Sequence, residues 1–255
     1  MARISARIFA ASLGFNTGIE VIIPQNPLDQ RPIEKVLYLL HGLGQDCTAW
    51  SRYSTIETYA ERYNYAVIMP EVHRSFYADM VYGSDYFTYV SRELPGICEH
   101  LFRINHVRDK TFVAGLSMGG YGALRCGLAR PDLYRACAGF SGAVDPVALI
   151  PSLEQMGMER QVTAILGTGM MFRDDANLFK LSDKASCLPA DERPRVLVTC
   201  GESDYLLEDN RRLDAHMKKL DIPYVYKEWP GDHDWKFWEE SLEPMFEFFE
   251  KEIQQ

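Results

Sequence analysis

Three features that the sequence lacks exclude whole classes of protein. No apolar run approaches the roughly 18–20 residues that a membrane-spanning helix requires. No run of lysine and arginine is longer than two residues, and 36 acidic against 27 basic residues give a net charge of −9. A nucleic-acid-binding surface needs a basic stripe, which this composition does not supply. The sequence therefore predicts no membrane segment and no nucleic-acid partner.

Cysteine pairs are also missing. The six cysteines are scattered without a CxxC pair, and no cluster of His, Cys and Asp has the spacing of a metal site. Most of the cysteines lie in apolar surroundings, which favours reduced core thiols in a cytoplasmic protein. Arg3 and Arg7 are not followed by a sustained apolar stretch, so we read no signal peptide. We expect a cytoplasmic protein without a metal.

What remains is an ordinary globular composition. The chain has 255 residues, of which 47% are hydrophobic and 25% are charged. This length fits one α/β domain, residues 1–255, that buries roughly 70–75% of its unfolded surface. Such a core needs no disulfide or metal to hold it together.

Short β-branched runs alternate with longer helical patterns, which is typical of a mostly parallel sheet. The first two strands are separated by a short turn near Gly14, Phe15 and Asn16, so they must be antiparallel. The later apolar runs suit strands that are buried on both faces. The predicted strands cover residues 4–10, 19–24, 36–40, 66–70, 111–114, 136–140, 195–200 and 224–229. The expected fold is a three-layer α/β/α sandwich.

The helical patterns are less even than the strands. Residues 144–192 lack a clear period, and a structureless loop of that length is unusual. We therefore expect short helices that form a small cap-like insertion over one end of the sheet. Residues 71–86 form a loop dense in aromatic and charged residues, and the aromatic run between Phe76 and Tyr89 either walls an active-site cleft or forms an edge of the core. Helices are predicted over residues 55–63, 87–102, 118–129, 210–220 and 235–253, with Pro95 and Pro244 expected to kink or split two of them.

Residues 115–119 read Gly-Leu-Ser-Met-Gly and match the G-x-S-x-G turn that exposes a serine oxygen above a sheet. The pattern arises often by chance, but here it follows an apolar strand and opens a helix, as the chemistry requires. The competing interpretation is a glycine-rich helix start without chemistry. We favour Ser117 as a nucleophile.

A nucleophilic serine needs a base, and the base needs a carboxylate that orients it. The chain order expected for this turn is serine, acid, histidine, and only His216 and His233 follow Ser117. His216 lies in a helix rich in Lys and Arg and is expected at the surface. His233 directly follows the last strand, where the sites of open α/β sheets lie. His233 is the predicted base, and the alternative is a solvated loop histidine.

The acid is expected in the loop that follows the strand at residues 195–200. Asp204 is the first choice, and Glu202 is the second. Glu208 and Asp209 lie farther from the strand end, near the start of the next helix. Without a catalytic role, any of these carboxylates would stabilise the helix N-terminus.

The turn after the strand at residues 36–40 reads His-Gly-Leu-Gly and can aim a backbone N–H at a developing oxyanion. We assign the oxyanion hole to the backbone N–H groups of Leu43 and of Met118, the residue after the nucleophile. His41 is expected only to brace the turn. Neither a Walker A loop nor a G-x-G-x-x-G pattern occurs, so no cofactor is expected.

These motifs resemble the esterase D branch of the α/β-hydrolase superfamily, close to its tributyrin-esterase type. The resemblance implies an α/β-hydrolase fold, with Ser117 as nucleophile, Asp204 as acid and His233 as base. It also implies short acyl esters, such as acetylated sugars or simple aryl esters, and a homo-oligomer, since relatives are often oligomeric. The motifs span nearly the whole chain: Leu-Leu-His-Gly at residues 39–42, Gly-Leu-Ser-Met-Gly-Gly-Tyr-Gly-Ala at 115–123, Cys-Gly-Glu-Ser-Asp at 200–204 and Pro-Gly-Asp-His-Asp-Trp at 230–235.

The predicted function is a serine carboxylesterase that hydrolyses short-chain acyl esters, acetyl to butyryl, through an acyl-enzyme. S-formylglutathione hydrolases of the same branch carry a Thr-Cys pair where this chain has Gly44 and Gln45, which disfavours that thioesterase activity. Acyltransferases of the branch share the triad but generally act outside the cell. A hydrolase-fold protein that only binds ligands is a further alternative, although it would have no need to keep all three triad residues.

Overall fold

A computed structural model describes residues 1–25, 33–169 and 173–253. Its single sheet has the order β1-β2-β4-β3-β5-β6-β7-β8. The pairs β1/β2 and β2/β4 are antiparallel, and every later pair is parallel. The α/β class, with a mostly parallel sheet and an antiparallel start, is therefore confirmed. The strands are β1 (Ala2–Ala10), β2 (Phe15–Ile23), β3 (Lys35–Leu40), β4 (Tyr65–Pro70), β5 (Thr111–Leu116), β6 (Ala136–Phe140), β7 (Arg195–Gly201) and β8 (Tyr224–Trp229).

Helices cover both faces of the sheet because its buried strands are apolar on both sides. Along β3, Val36 and Tyr38 pack into one hydrophobic cluster and Leu37 packs into another, as the two-residue period of a strand dictates. The helices are α1 (Ala49–Tyr53), α2 (Ile56–Tyr63), α3 (Tyr86–Thr88), α4 (Leu94–Phe102), α5 (Met118–Ala129), α6 (Ile150–Gln155), α7 (Glu159–Leu166), α8 (Leu178–Ser186), α9 (Leu207–Met217), α10 (Trp235–Glu240) and α11 (Leu242–Ile253).

Some predicted boundaries are wrong at turns. The first turn lies at residues 11–14, because Phe15 already pairs with Ala10 in the β1/β2 ladder. The helix predicted at residues 210–220 starts at Leu207 and ends at Met217. In both places the boundary was misplaced because a short polar or glycine-containing stretch lies next to the end of the element.

The two proline-containing helices are interrupted in different ways. A π-helical turn, Tyr89–Glu93, joins α3 to α4 and ends two residues before Pro95, and such a wider turn suits a residue that lacks an N–H donor. The closing helix is split at Ser241, ahead of Pro244. Pro244 therefore lies in the first turn of α11. A backbone N–H at this position would have no acceptor within the helix, so its absence costs no hydrogen bond.

The loop at residues 71–85 and the chain at residues 144–166, which includes α6 and α7, lie together over the sheet. We call these two segments the cover. The N–H groups of Val81 and Tyr82 donate to the carbonyl oxygens of Ile165 and Ala164 at 3.2 and 2.9 Å. By contrast, α8 packs against α5 and α9 in the helical layer. Among the helices within the described ranges, none combines the length and the apolar character that crossing a bilayer would demand.

Candidate active site

Ser117 stands on a strained turn between β5 and α5. Its backbone has φ 54° and ψ −119°, a conformation that few non-glycine residues adopt. Its N–H donates to the carbonyl oxygen of Phe140 at 2.9 Å, which holds the turn against β6. A Cβ atom on Gly119 would lie 2.3 Å from the carbonyl oxygen of Leu40, so only glycine allows this close approach. The turn thus places the serine hydroxyl at the carboxyl end of the parallel strands.

The structure brings the three predicted triad residues together. Nε2 of His233 lies 3.0 Å from Oγ of Ser117. Nδ1 of His233 lies 2.9 and 3.1 Å from the two carboxylate oxygens of Asp204. These distances are within hydrogen-bonding range at both ring nitrogens, which is the arrangement that activates a serine hydroxyl.

Asp204 is buried, whereas Glu202 is exposed to solvent. The N–H of Leu206 donates to Oδ1 of Asp204 at 2.8 Å, which holds the carboxylate in place. Burial works to raise the pKa of Asp204, but the hydrogen bond and charge of His233, together with further hydrogen bonds to the carboxylate, outweigh it and lower that pKa. Asp204 is therefore ionised near neutral pH. Glu208 and Asp209 instead form ion pairs with Arg211 and Arg212 on α9.

The loop around His233 is held by its own side chains. Asp234 caps α10 by accepting the N–H of Phe237 at 3.0 Å, and this fixes the chain directly after the histidine. The imidazole ring lies between Tyr205, with ring centroids 4.5 Å apart, and Trp238, at 5.1 Å. Neither aromatic residue was expected at the site from the sequence. The sequence offers one indication of their place at the site: Tyr205 directly follows the predicted acid, and Trp238 lies five residues after the predicted base.

A cavity of about 210 Å³ opens beside Oγ of Ser117. Leu43 and Met118, the predicted oxyanion-hole residues, both line it together with Ser117 and His233. The N–H of Met118 is the first of α5, so it has no acceptor within the helix. The side-chain oxygen of Gln45 accepts the N–H of Gly42 at 2.9 Å and so stabilises the turn that carries Leu43.

His41 braces the same turn from below. Its Nδ1 lies 2.9 Å from the carbonyl oxygen of Gly42, and its Nε2 accepts the N–H of Val72 at 3.1 Å. The hydroxyl of Tyr77 donates to the carbonyl oxygen of His41 at 2.9 Å. His41 is only 1% exposed and is absent from the lining of the cavity, so it supports the turn from within the protein.

The cover supplies the apolar wall of the cavity through Phe76, Leu149, Leu153 and Met156. Behind this wall lies an apolar void of about 10 Å³, which Phe76 and Leu153 also line. Phe76 thus places part of the aromatic loop at the cavity, which favours the cleft-wall interpretation of that residue. The other three wall residues, Leu149, Leu153 and Met156, were not singled out from the sequence, since residues 144–192 show weak periodicity.

Comparisons with known proteins agree with this arrangement. Residues 10–249 match a family model described as putative esterase. An acetyl esterase of Caldicellulosiruptor saccharolyticus is 32% identical, with 98% of this chain and 99% of that protein covered. Two Staphylococcus aureus structures are each 30% identical and cover 97% of this chain and 98% of theirs: the substrate-bound fluorophosphonate-binding serine hydrolase F, with a TM-score of 0.86, and an S-formylglutathione hydrolase apoenzyme, with a TM-score of 0.82.

Proposed function

This chain belongs to the putative esterase family of serine hydrolases, and we propose that it is a serine carboxylesterase that hydrolyses short-chain acyl esters, acetyl to butyryl. The observation that carries the proposal is the hydrogen-bonded chain from Ser117 through His233 to Asp204 beside a small cavity. The substrate is a small-molecule ester, and the proposed chemistry requires no cofactor.

In the acylation step, Oγ of Ser117 attacks the ester carbonyl carbon while Nε2 of His233 takes the hydroxyl proton. Asp204 holds the imidazole in the required tautomer and stabilises the imidazolium that forms. The N–H groups of Leu43 and Met118 stabilise the oxyanion of the tetrahedral intermediate. Loss of one such donor typically costs about 3–4 kcal/mol of transition-state stabilisation. The bond to the alcohol oxygen then breaks, and the alcohol leaves with the proton from His233.

Deacylation repeats these steps with water as the nucleophile. His233 removes a proton from water, the hydroxide attacks the acyl carbon, and the bond to Oγ of Ser117 breaks. The serine recovers its proton from His233, and the carboxylic acid is released. The same residues therefore serve both half-reactions.

The size of the cavity supports a short acyl group. Its volume, about 210 Å³, is below the roughly 300–1,000 Å³ of pockets that enclose drug-sized ligands. Leu153 and Phe76 close its apolar end. A chain much longer than butyryl would have to displace one of these side chains.

Initial rates on p-nitrophenyl esters from acetyl to decanoyl test this proposal, with Ser117→Ala measured in parallel. We expect activity that is highest for the short acyl groups and is lost in the variant. No hydrolysis at any length, or activity that survives the substitution, would contradict it. Adding an excess of acceptor alcohol distinguishes hydrolysis from acyl transfer, because a transferase yields new ester in preference to free acid.

A second candidate is thioester hydrolysis, since one of the similar structures is named an S-formylglutathione hydrolase. The triad chemistry is the same for an acyl thioester. Gly44 and Gln45 stand where S-formylglutathione hydrolases carry a Thr-Cys pair, so we favour the oxygen ester. A kcat/KM for S-formylglutathione that exceeds that for every p-nitrophenyl ester would reverse this choice.

We also propose a reducing, cytoplasmic setting, because all six cysteines are free thiols and four of them are buried. Fractionation of the source cells tests this. Recovery of the protein from the cytosol supports the proposal, whereas recovery from the medium contradicts it.

A further inference from the structure

A second, larger cavity adjoins the proposed active site, and we propose that it binds the leaving group of an oxygen ester whose alcohol portion carries a carboxylate. Its volume is about 520 Å³, against about 210 Å³ for the cavity beside Ser117. Gln45 lines both cavities, so the two adjoin at the turn that carries the oxyanion-hole residue Leu43. The proposal rests on the esterase function, in which the acyl group occupies the smaller cavity.

The lining of the second cavity differs in kind from that of the first. The smaller cavity has an apolar wall from the cover, whereas the larger one is lined mainly by polar groups, including Gln45, His73, Arg74 and Gln161. None of the described residues that line the larger cavity is Asp or Glu. In a chain with nine more acidic than basic residues, a wall that holds an arginine and a histidine without a carboxylate favours an anionic ligand.

Arg74 is the main cationic group of this cavity. Its side chain forms no ion pair and no hydrogen bond with any described residue, in contrast to most of the other arginines of the chain. A guanidinium is always charged in proteins, and its planar donors match the two oxygens of a carboxylate. An unpaired arginine at the wall of a cavity next to the nucleophile is therefore available to such a group.

His73 is positioned beside Arg74 by a neighbouring carboxylate. Its N–H donates to Oε1 of Glu71 at 2.7 Å, and its Nδ1 lies 3.3 Å from the same oxygen. The other oxygen of Glu71 accepts the N–H of Cys47 at 3.2 Å, so this carboxylate is engaged away from the cavity. Nε2 of His73 has no hydrogen-bond partner among the described residues and is free to donate to a ligand.

The backbone that carries these groups is strained. His73 has φ 52°, and Phe76 and Tyr77 both have φ 50°, so three non-glycine residues in one short loop adopt the left-handed conformation. Strain of this kind persists only where the surrounding structure enforces it, and it is concentrated at ligand-binding sites. Here it places Phe76 at the acyl cavity and His73 at the polar cavity.

A matched pair of acetyl esters tests the proposal. The first is 3-(4-acetoxyphenyl)propanoate, and the second is its neutral amide, 3-(4-acetoxyphenyl)propanamide. Two methylene groups separate the carboxylate from the phenol, so the intrinsic reactivity of the two esters is similar. We measure kcat and KM for both with the wild type, with Arg74→Gln and with Arg160→Gln. Arg160 is exposed on α7, next to Gln161, and is absent from the linings of both cavities.

We expect the wild type to prefer the anionic ester, chiefly through a lower KM. The ratio of kcat/KM between the two esters should fall about 10-fold in Arg74→Gln, as expected when a charge-assisted hydrogen bond is lost. Arg160→Gln should leave the ratio unchanged. High ionic strength should reduce the wild-type preference, because the guanidinium is exposed to solvent.

The two proposals fail in different ways. Equal kcat/KM values for the two esters in the wild type, or a ratio that Arg74→Gln does not lower, would overturn the carboxylate site and leave the esterase proposal standing. A wild-type enzyme that hydrolyses neither of these esters but does hydrolyse p-nitrophenyl acetate would also overturn the carboxylate site alone. A wild-type enzyme that hydrolyses none of the esters, p-nitrophenyl esters included, would overturn the esterase proposal, and the carboxylate site would fall with it.

Discussion

The strand-end loops and the cover contribute to the same site but are held in different ways. Ser117 and Asp204 are 8% and 5% exposed and are anchored by backbone hydrogen bonds at the ends of buried strands. In the cover, Val81, Tyr82 and Met156 are 53%, 60% and 67% exposed, and the chain forms short helices and strained turns. The strand-end loops thus hold the triad residues, while the cover, which is more exposed in part, forms walls of the two cavities.

The largest effect is expected from the acid at a strand end. Asp204→Asn should lower kcat on p-nitrophenyl acetate by about 10⁴-fold with the fold intact, because an amide cannot hold His233 in the required tautomer. Glu202→Gln is the matched control, since Glu202 is exposed in the same loop. If Glu202→Gln causes the large loss instead, the assignment of the acid is wrong.

The second-largest effect is expected on stability, at the closely packed glycine two residues after the nucleophile. In Gly119→Ala the new Cβ would lie 2.3 Å from the carbonyl oxygen of Leu40, so we expect a loss of about 3 kcal/mol in the free energy of unfolding. Gly96→Ala in α4 has no heavy atom within 4 Å of the new Cβ and should instead stabilise the helix by about 0.5–1 kcal/mol. Urea unfolding of both variants checks the difference, and equal effects would contradict it.

We expect the cover to determine which acyl chain length the enzyme prefers and to leave the triad reaction itself unchanged. Leu153→Ala removes a side chain that separates the acyl cavity from the apolar void behind it. The ratio of kcat/KM for hexanoyl over acetyl esters should then rise about 10-fold, because accommodating one additional methylene group in an apolar pocket typically changes kcat/KM by about that factor or more. Met156→Ala removes an exposed wall residue that does not line the void and should leave the ratio near that of the wild type. A reduced rate on every ester without a change of preference would contradict this role.

The smallest effect concerns the start of the cover. Burial works to raise the pKa of Glu71, but the combined hydrogen bonds and charges of His41 and His73 outweigh it and lower that pKa. The ionised carboxylate therefore stabilises the fold above its unfolded pKa, and this contribution is lost as the pH falls through the lowered folded value. Glu71→Gln should cost about 1 kcal/mol near pH 7 and less near pH 3. Urea unfolding at both pH values measures the gap, and a gap that widens in acid would contradict this account.

Sequence patterns predict the sheet well because its strands are buried on both faces. Short apolar runs such as residues 36–40 and 136–140 are typical of buried strands, and the structure contains all eight strands that were predicted. The chain order of Ser117, Asp204 and His233 follows from the order of the strand-end loops, and the structure brings the three together. Helix α1, with five residues, is too short for a period of 3.6 residues to show.

The walls of the cavities could not be predicted in the same way. Leu149, Leu153 and Phe76 meet only because the cover folds over the sheet, and no local pattern marks that contact. The pairing of Val81 with Ile165 joins two distant parts of the chain through backbone atoms alone. Residues of this kind depend on tertiary packing, which a single sequence does not display.

Covalent labelling tests the central claim most directly. A fluorophosphonate reacts with an activated serine hydroxyl, and mass spectrometry of the digested protein identifies the modified residue. The account predicts a single adduct, on Ser117, that is absent in Ser117→Ala and strongly slowed in Asp204→Asn. An adduct on another serine, or full esterase activity in a protein that does not react, would contradict it.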